Sequence, residues 1–304
     1  MTAPLRASGD MAPLQVLVRG LGLVGPGLAG WPAGGAALRA PETWQRAATV
    51  VPAPDRLPAN ERRRAGLVVK AAIAVADEAV TMANADPAQL ATVFTSATGD
   101  PANCHALCEA LAAPDPAARL VSPTRFTNSV HNTPAGYWHI ATHSQRASTS
   151  IAVFDASFGA GLLEAAVWCA VRGEEVLLVA CDVPYPQPLH ALRPVADTMA
   201  VALVLAPVGA ASSAVTGPMA ACTLSLRTLA APVAASACAH AALETLRGEI
   251  PAARALPLLT ALARHAARPA HAADASHTAP AAATTVFLDA AEGFTLAVDV
   301  EGLA

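Results

Sequence analysis

Gly159 to Val171 reads GAGLLEAAVWCAV, a run with a single charge, Glu164. A helix of that composition has no polar face to turn to water. It must be covered on nearly every side, by the rest of the chain or by a partner. Ahead of it, Ser150–Phe154 reads as a short buried strand, and Phe154-Asp155-Ala156-Ser157-Phe158-Gly159 as the tight turn between them. Gly173 ends the helix. Val176–Cys181 then follows as an apolar strand without alternation, the pattern of a strand covered on both faces of a sheet.

The flanks continue in the same alternating style. Leu14–Val24 is alternating and β-branched, so it predicts a first strand, with Gly25-Pro26-Gly27 as its exit turn. Val51–Pro58 is a proline-broken loop. Asn60 is expected to cap a helix running to about Asn84, with Arg62, Arg63, Arg64 and Lys70 exposed early and an alanine-valine face behind. Leu90–Thr95 predicts a second strand, and Pro101 opens a helix to about Leu111. Asn128–Thr142 reads as helical, its first turn near Thr133 because of Pro134. Met199–Leu205 and Met219–Leu226 predict strands, Ala234–Leu246 and Leu256–Ala267 helices, and Arg268–Ala283 a mobile loop. Thr284–Asp289 and Phe294–Val300 predict a closing hairpin across Ala-Ala-Glu-Gly. Alternating strands and helices imply an α/β layered fold.

Composition excludes several classes. The chain has 304 residues, 54% hydrophobic and 14% charged, enough to bury a large core. A net charge of -4 gives no basic stripe for nucleic acid. No window of about 18 residues is free of both charge and proline, so no membrane span is expected. MTAPLRASGDM lacks the apolar run of a signal peptide, which predicts a cytoplasmic protein. Cys104, Cys108, Cys169, Cys181, Cys222 and Cys238 are expected to be buried, inert thiols, because a long apolar chain needs no disulfide staples. Cys104 with Cys108, or His139 with His143, would need further ligands to hold a metal, so none is expected.

At NSVHNTPAGYWHIAT, STSIAVFDASFGAGLLEAA and EEVLLVACD the chain resembles the N-terminal half of β-ketoacyl synthases. Within that family it is most similar to the short ketosynthase-like chain-length factors of aryl polyene pigment clusters. The likeness runs from about Leu14 to Leu205 and is strongest from Phe126 to Asp182. It implies a thiolase-like, layered α/β/α fold with a mixed five-stranded sheet and a truncated second half. It also implies one domain over 1–304, with a core at 14–226 and a reduced C-terminal part at 227–304. In that family the turn before the buried helix carries a catalytic cysteine. Alignment from the strand puts Asp155 there, and alignment from the helix puts Ala156 or Ser157 there. The family's catalytic histidines and lysine also lack counterparts. His240, His265, His271 and His277 stand outside such motifs, and the only lysine is Lys70.

Condensation needs a thiolate to accept the acyl group and imidazoles to stabilise the enolate and its oxyanion. The resemblance therefore implies a non-catalytic subunit, without cofactor or metal. It would pair with a true β-ketoacyl synthase as a heterodimer, would meet acyl carrier protein only indirectly, and would limit chain length. Residues implied at the partner face and acyl-tunnel wall are Ala102, His105, Ala106, Phe126, Asn128, Val130, His131, Thr133 and Tyr137. Two other readings stand. Ser157 could serve as nucleophile of a serine acyl hydrolase or acyltransferase, with His240 and Asp182 or Asp197 as partners. That motif wants glycine two residues earlier, where Asp155 stands; the plainer roles are a helix N-cap or buried turn residue for Ser157, and a helix cap for Asp155. Cys169 or Cys181 as nucleophile would serve a stand-alone condensing enzyme, but neither has the expected setting. His131, between Asn128 and Asn132, is open to a structural backbone bond or to an interface contact.

Overall fold

A computed structural model describes residues 12–209, 222–229, 231–266 and 283–302. Strand β1 (Leu14–Gly25) and the short β2 (Leu28–Ala29) lead into helix α1 (Trp31–Arg39). Helices α2 (Ala59–Arg64) and α3 (Leu67–Ala83) precede β3 (Ala91–Thr95), α4 (Pro101–Leu111), α5 (Pro123–Thr127) and α6 (Thr133–Thr142). Then come β4 (Ser148–Ile151), α7 (Ser157–Arg172), β5 (Val176–Asp182), α8 (Leu189–Leu192), β6 (Met199–Pro207) and β7 (Cys222–Thr228). Helices α9 (Ala241–Glu249) and α10 (Leu256–Ala266) precede the hairpin of β8 (Thr284–Ala291) and β9 (Phe294–Gly302).

All the described strands join one sheet of order β4-β3-β5-β6-β1-β7-β9-β8, with β2 hooked onto β1. The expected mixed five-stranded sheet is therefore too small: the described sheet has nine strands. The cause is β1, which is not an edge. Its long course pairs antiparallel with β6 along one side, and Leu14–Val18 pair antiparallel with β7 on the other. The C-terminal hairpin then adds to β7 through β9.

Two cores flank the sheet. On one face α3 and Trp138 of α6 cover Leu177, Val179 and Cys181 of β5. On the other, α7, α10 and Trp31 and Leu38 of α1 cover Val176, Leu178 and Ala180. Successive β5 residues thus enter opposite cores, which is why the strand shows no polar alternation. The close fit of α3 depends on Gly20 and Gly22 of β1: a Cβ at either would stand 2.0 Å from the carbonyl oxygen of Ala79 or Val75.

Several sequence expectations shift. The helix expected over Asn60–Asn84 breaks at Ala65 and Gly66, both extended, because α2 buries nothing while α3 carries an apolar face. Asn60 caps neither piece; Pro58 holds the N-cap of α2. The strand expected at Ser150–Phe154 lies at Ser148–Ile151 and is a half-buried edge strand. The helix expected from Ala234 begins at Ala241, after an irregular stretch. Met219–Ala221 and nearly all of the expected loop at 268–283 lie outside the described residues. Cys104 and Cys108 are exposed, contrary to the expectation of buried thiols, because α4 turns that face outward. Phe154–Arg172 is long and apolar enough to cross a membrane by length and composition alone, yet it packs on β5, β8 and β1 as a core helix.

Candidate functional site at the strand–helix turn

The turn between β4 and α7 is wound as a single 3-10 turn, Phe154–Ala156. Phe154 sits at φ 50°, a left-handed conformation uncommon outside glycine, so the surrounding contacts must hold it. Arg193 supplies one contact: its guanidinium lies 3.4 Å from the centre of the Phe154 ring. The same arginine donates from Nη2 to Asp155 Oδ1 at 2.8 Å. Arg254 approaches Asp155 Oδ2 at 3.6 Å and Asp289 at 4.0 Å. Asp155 therefore does not cap α7; it is the anion between two arginines. The Nε atoms of both arginines are buried without hydrogen-bond partners. Tyr185 stands beside Arg193, and burial pushes its phenol above the ordinary range, against the opposing pull of that arginine.

Ser157 is the first residue of α7 and almost fully buried. Its Oγ accepts from Val153 N at 2.9 Å and donates to Phe154 O at 2.7 Å. It is a buried turn residue, and its proton points to a backbone carbonyl. The suggested partners lie elsewhere. Asp182 is buried at the end of β5, where its Oδ1 accepts from Ala97 N, Thr98 N, Ser96 Oγ and Thr98 Oγ1. Burial raises its pKa, and these hydrogen bonds partly offset the rise. Asp197 Oδ2 accepts from Thr49 N at 3.0 Å. His240 sits edge-on to Trp44.

The cysteines are equally unsuited. Cys169 is buried in the last turn of α7 and its thiol is pushed up to about 12, first by burial and then by Glu175. Cys181 is fully buried, donates to Val68 O at 3.6 Å, and is pushed well above the ordinary thiol value by burial and by Asp182. Burial raises Cys222 and Cys238 to about 11. Thiolate, the reactive form, is disfavoured at each. Among the described residues no group of three His, Cys, Asp or Glu could hold a metal.

The wall residues implied by the sequence divide by exposure. Phe126 and Val130 are 70% and 54% exposed, and Ala102 and His131 also face outward. His131 Nε2 nonetheless lies 3.2 Å from Ser96 O. His105 pairs with Glu109 at 3.3 Å, and Ala106 is half-buried beside it. Asn128, Thr133 and Tyr137 lie inside: Tyr137 donates to Asn128 Oδ1, whose Nδ2 donates to Arg64 O, and Thr133 donates to Val130 O. Arg193, Arg254, Asp289 and Tyr185 were not anticipated. They are scattered far along the chain from Asp155, and nothing in their spacing points to the turn.

Residues 38–255, over two-thirds of the chain, match the family model of the beta-ketoacyl synthase N-terminal domain. The chain belongs to that family. Solved structures share its fold. One is the ketosynthase ApeO in complex with its chain length factor ApeC from Xenorhabdus doucetiae, with 17% identity and TM-score 0.64 over 95% of this chain and 100% of that one. The ishigamide ketosynthase/chain length factor gives 14% identity and TM-score 0.65 over the same shares. The AntDE:AntF complex, a type II polyketide acyl-carrier protein with its ketosynthase bound to the hexaketide, gives 12% identity and TM-score 0.69 over 95% of this chain and 99% of that one. The chain matches no curated protein. The fold is thus the layered, thiolase-like fold of ketosynthases.

Proposed function

We propose that this chain is a non-catalytic ketosynthase-like subunit, a chain-length factor. It pairs with a condensing β-ketoacyl synthase in polyene, polyketide or fatty-acid-type biosynthesis and meets acyl carrier protein only through that partner. The observation that carries the reading is the turn itself. In the turn where the family presents a thiol there is no cysteine, and Asp155, one of the three residues that align with that position, is bridged to Arg193 and Arg254. A carboxylate held between two guanidiniums is a poor nucleophile. The chain would act as one domain, with 14–226 as its core and 227–304 as a reduced C-terminal part. Two of the similar structures are ketosynthase and chain length factor assemblies, which supports the pairing.

The face that would meet the partner is apolar and exposed around α5: Leu111, Leu120, Phe126 and Val130 all turn more than half their surface to solvent. Ala102, His105, Ala106, Asn128, His131, Thr133 and Tyr137 complete the proposed wall, some as contacts and some as the layer behind them. Chain length would be set by side-chain volume there, because a close-packed interface leaves no room for extra carbons. The serine reading is disfavoured, since no imidazole is hydrogen-bonded to Ser157 among the described residues.

Co-expression with a condensing ketosynthase tests the reading. The expected result is a stoichiometric complex whose products shorten when Ala106→Phe enlarges the wall. A covalent acyl adduct on the isolated chain, with turnover to match, would overturn it.

A further inference from the structure

A large cavity lined by described residues lies away from the turn. It is a groove of about 710 Å³ between the outer side of α3 and the extended strap that includes Val50 and Pro54. Leu23, Val24, Pro32, Val50, Pro52 and Met82 give it apolar walls, and Asp77 and Glu78 are its only charged lining residues. The two acids are not equivalent. Asp77 is already paired, accepting from Arg56 Nε at 2.6 Å. Glu78 has no cationic partner among the described residues. Its Oε2 accepts from Leu23 N at 2.9 Å and its Oε1 from Trp31 N at 2.6 Å. Each carboxylate oxygen keeps a further acceptor site.

A volume of this order suits a small organic ligand, with apolar walls supplying affinity and a few polar groups fixing orientation. A carboxylate without a cation, set among apolar side chains, selects for positive charge, because a charge-assisted hydrogen bond there recovers what burial costs. A carboxylate ligand would meet the unpaired Glu78 and, among the lining residues, no cation.

We infer that the groove binds a primary ammonium group carried on an apolar body, the ammonium donating to Glu78 and the body lying between α3 and the Val50–Pro54 strap. This site is independent of the pairing proposed above, and a failure of either leaves the other standing.

Calorimetric titration of the full chain with n-octylamine and with octanoate, equal in length and opposite in charge, tests it. The amine is expected to bind one-to-one and at least about tenfold tighter than the carboxylate, the ratio one charge-assisted hydrogen bond supports. Ala74→Trp, placed on the groove side of α3, should abolish amine binding while the melting temperature holds. Glu78→Gln should weaken it by about tenfold or more, and loss of the fold in that variant leaves the Ala74→Trp result to decide. Equal binding of amine and carboxylate, or unchanged amine binding in a folded Ala74→Trp protein, would overturn the inference.

Discussion

Ser157 shows what a hydroxyl does when it is not a nucleophile. It closes the turn by bonding Val153 N and Phe154 O in a buried place. Ser157→Ala leaves the Val153 amide without its acceptor, so the variant should lose about 1–3 kcal/mol in urea unfolding. Product formation by the assembled complex should stay near the parent level, and a loss beyond a hundredfold with the complex intact would favour the serine enzyme. Asp182 gives the second test. Its folded pKa is raised by burial, so its contribution to stability is full below the unfolded carboxylate value and is lost as pH rises through the folded value. Asp182→Asn removes that titration. In urea midpoints measured from pH 4 to 7, the variant should therefore gain on the parent as pH rises; parallel curves would count against this assignment. The absence of cysteine at the turn was plain in the sequence. The arginine pair on Asp155 was not, because Arg193 caps the end of α8 and Arg254 lies in the 3-10 turn before α10, and both reach Asp155 only through the tertiary fold.

Helices and strands were legible where burial imposes a pattern. β5 declared itself because it lies inside along its whole length, and its lack of polar residues from Val176 to Cys181 is a direct record of that; α7 is buried along one face and exposed at its end, where Val171 turns outward. The α2–α3 break had one cue, Gly66, a poor helix former; it is easily passed over because the arginines and alanines on either side favour helix. Short α1 was missed because its two glycines and proline read as loop; it forms by docking Trp31 and Leu38 into the core. The glycines of β1 have a sharper meaning. Gly22→Ala would press a methyl to 2.0 Å from Val75 O, and neither strand nor helix backbone can yield without leaving the sheet interface. A loss of about 3 kcal/mol or more is expected. Gly136→Ala in α6 is the control: nothing lies within 4 Å of its added carbon, and helix propensity predicts a gain of up to about 1 kcal/mol. Chemical denaturation of the two variants checks both signs. Similar losses in both would mean that helix α3 does not sit so close to the strand.

The assembly of the sheet was the least legible level. Which strand lies beside β1 depends on pairing between segments some two hundred residues apart, and hydrophobic pattern says which face is buried, not which neighbour supplies the hydrogen bonds. Hence the hairpin was foreseen, and its addition to β7 was not. What the sheet leaves outside bears on partnership. With both sheet faces covered, the exposed apolar side chains gather on peripheral segments. Those around α5 stand on a backbone that is pinned rather than loose: Asn103 donates to Arg125 O at 2.8 Å and Asn128 to Arg64 O at 3.1 Å. A rigid apolar projection suits an interface, because little side-chain and loop entropy is lost when a partner covers it. Phe126 is the bulkiest of the exposed apolar side chains proposed for that face. Phe126→Asp should cost about 2 kcal/mol or more of association, roughly thirtyfold in Kd, while the melting temperature of the isolated chain stays put, since the ring contributes little to the internal core. Titration of labelled chain with the condensing ketosynthase reads the first quantity and calorimetric melting the second. Undiminished affinity would move the interface off α5; a lowered melting temperature would make Phe126 a packing residue instead of a contact.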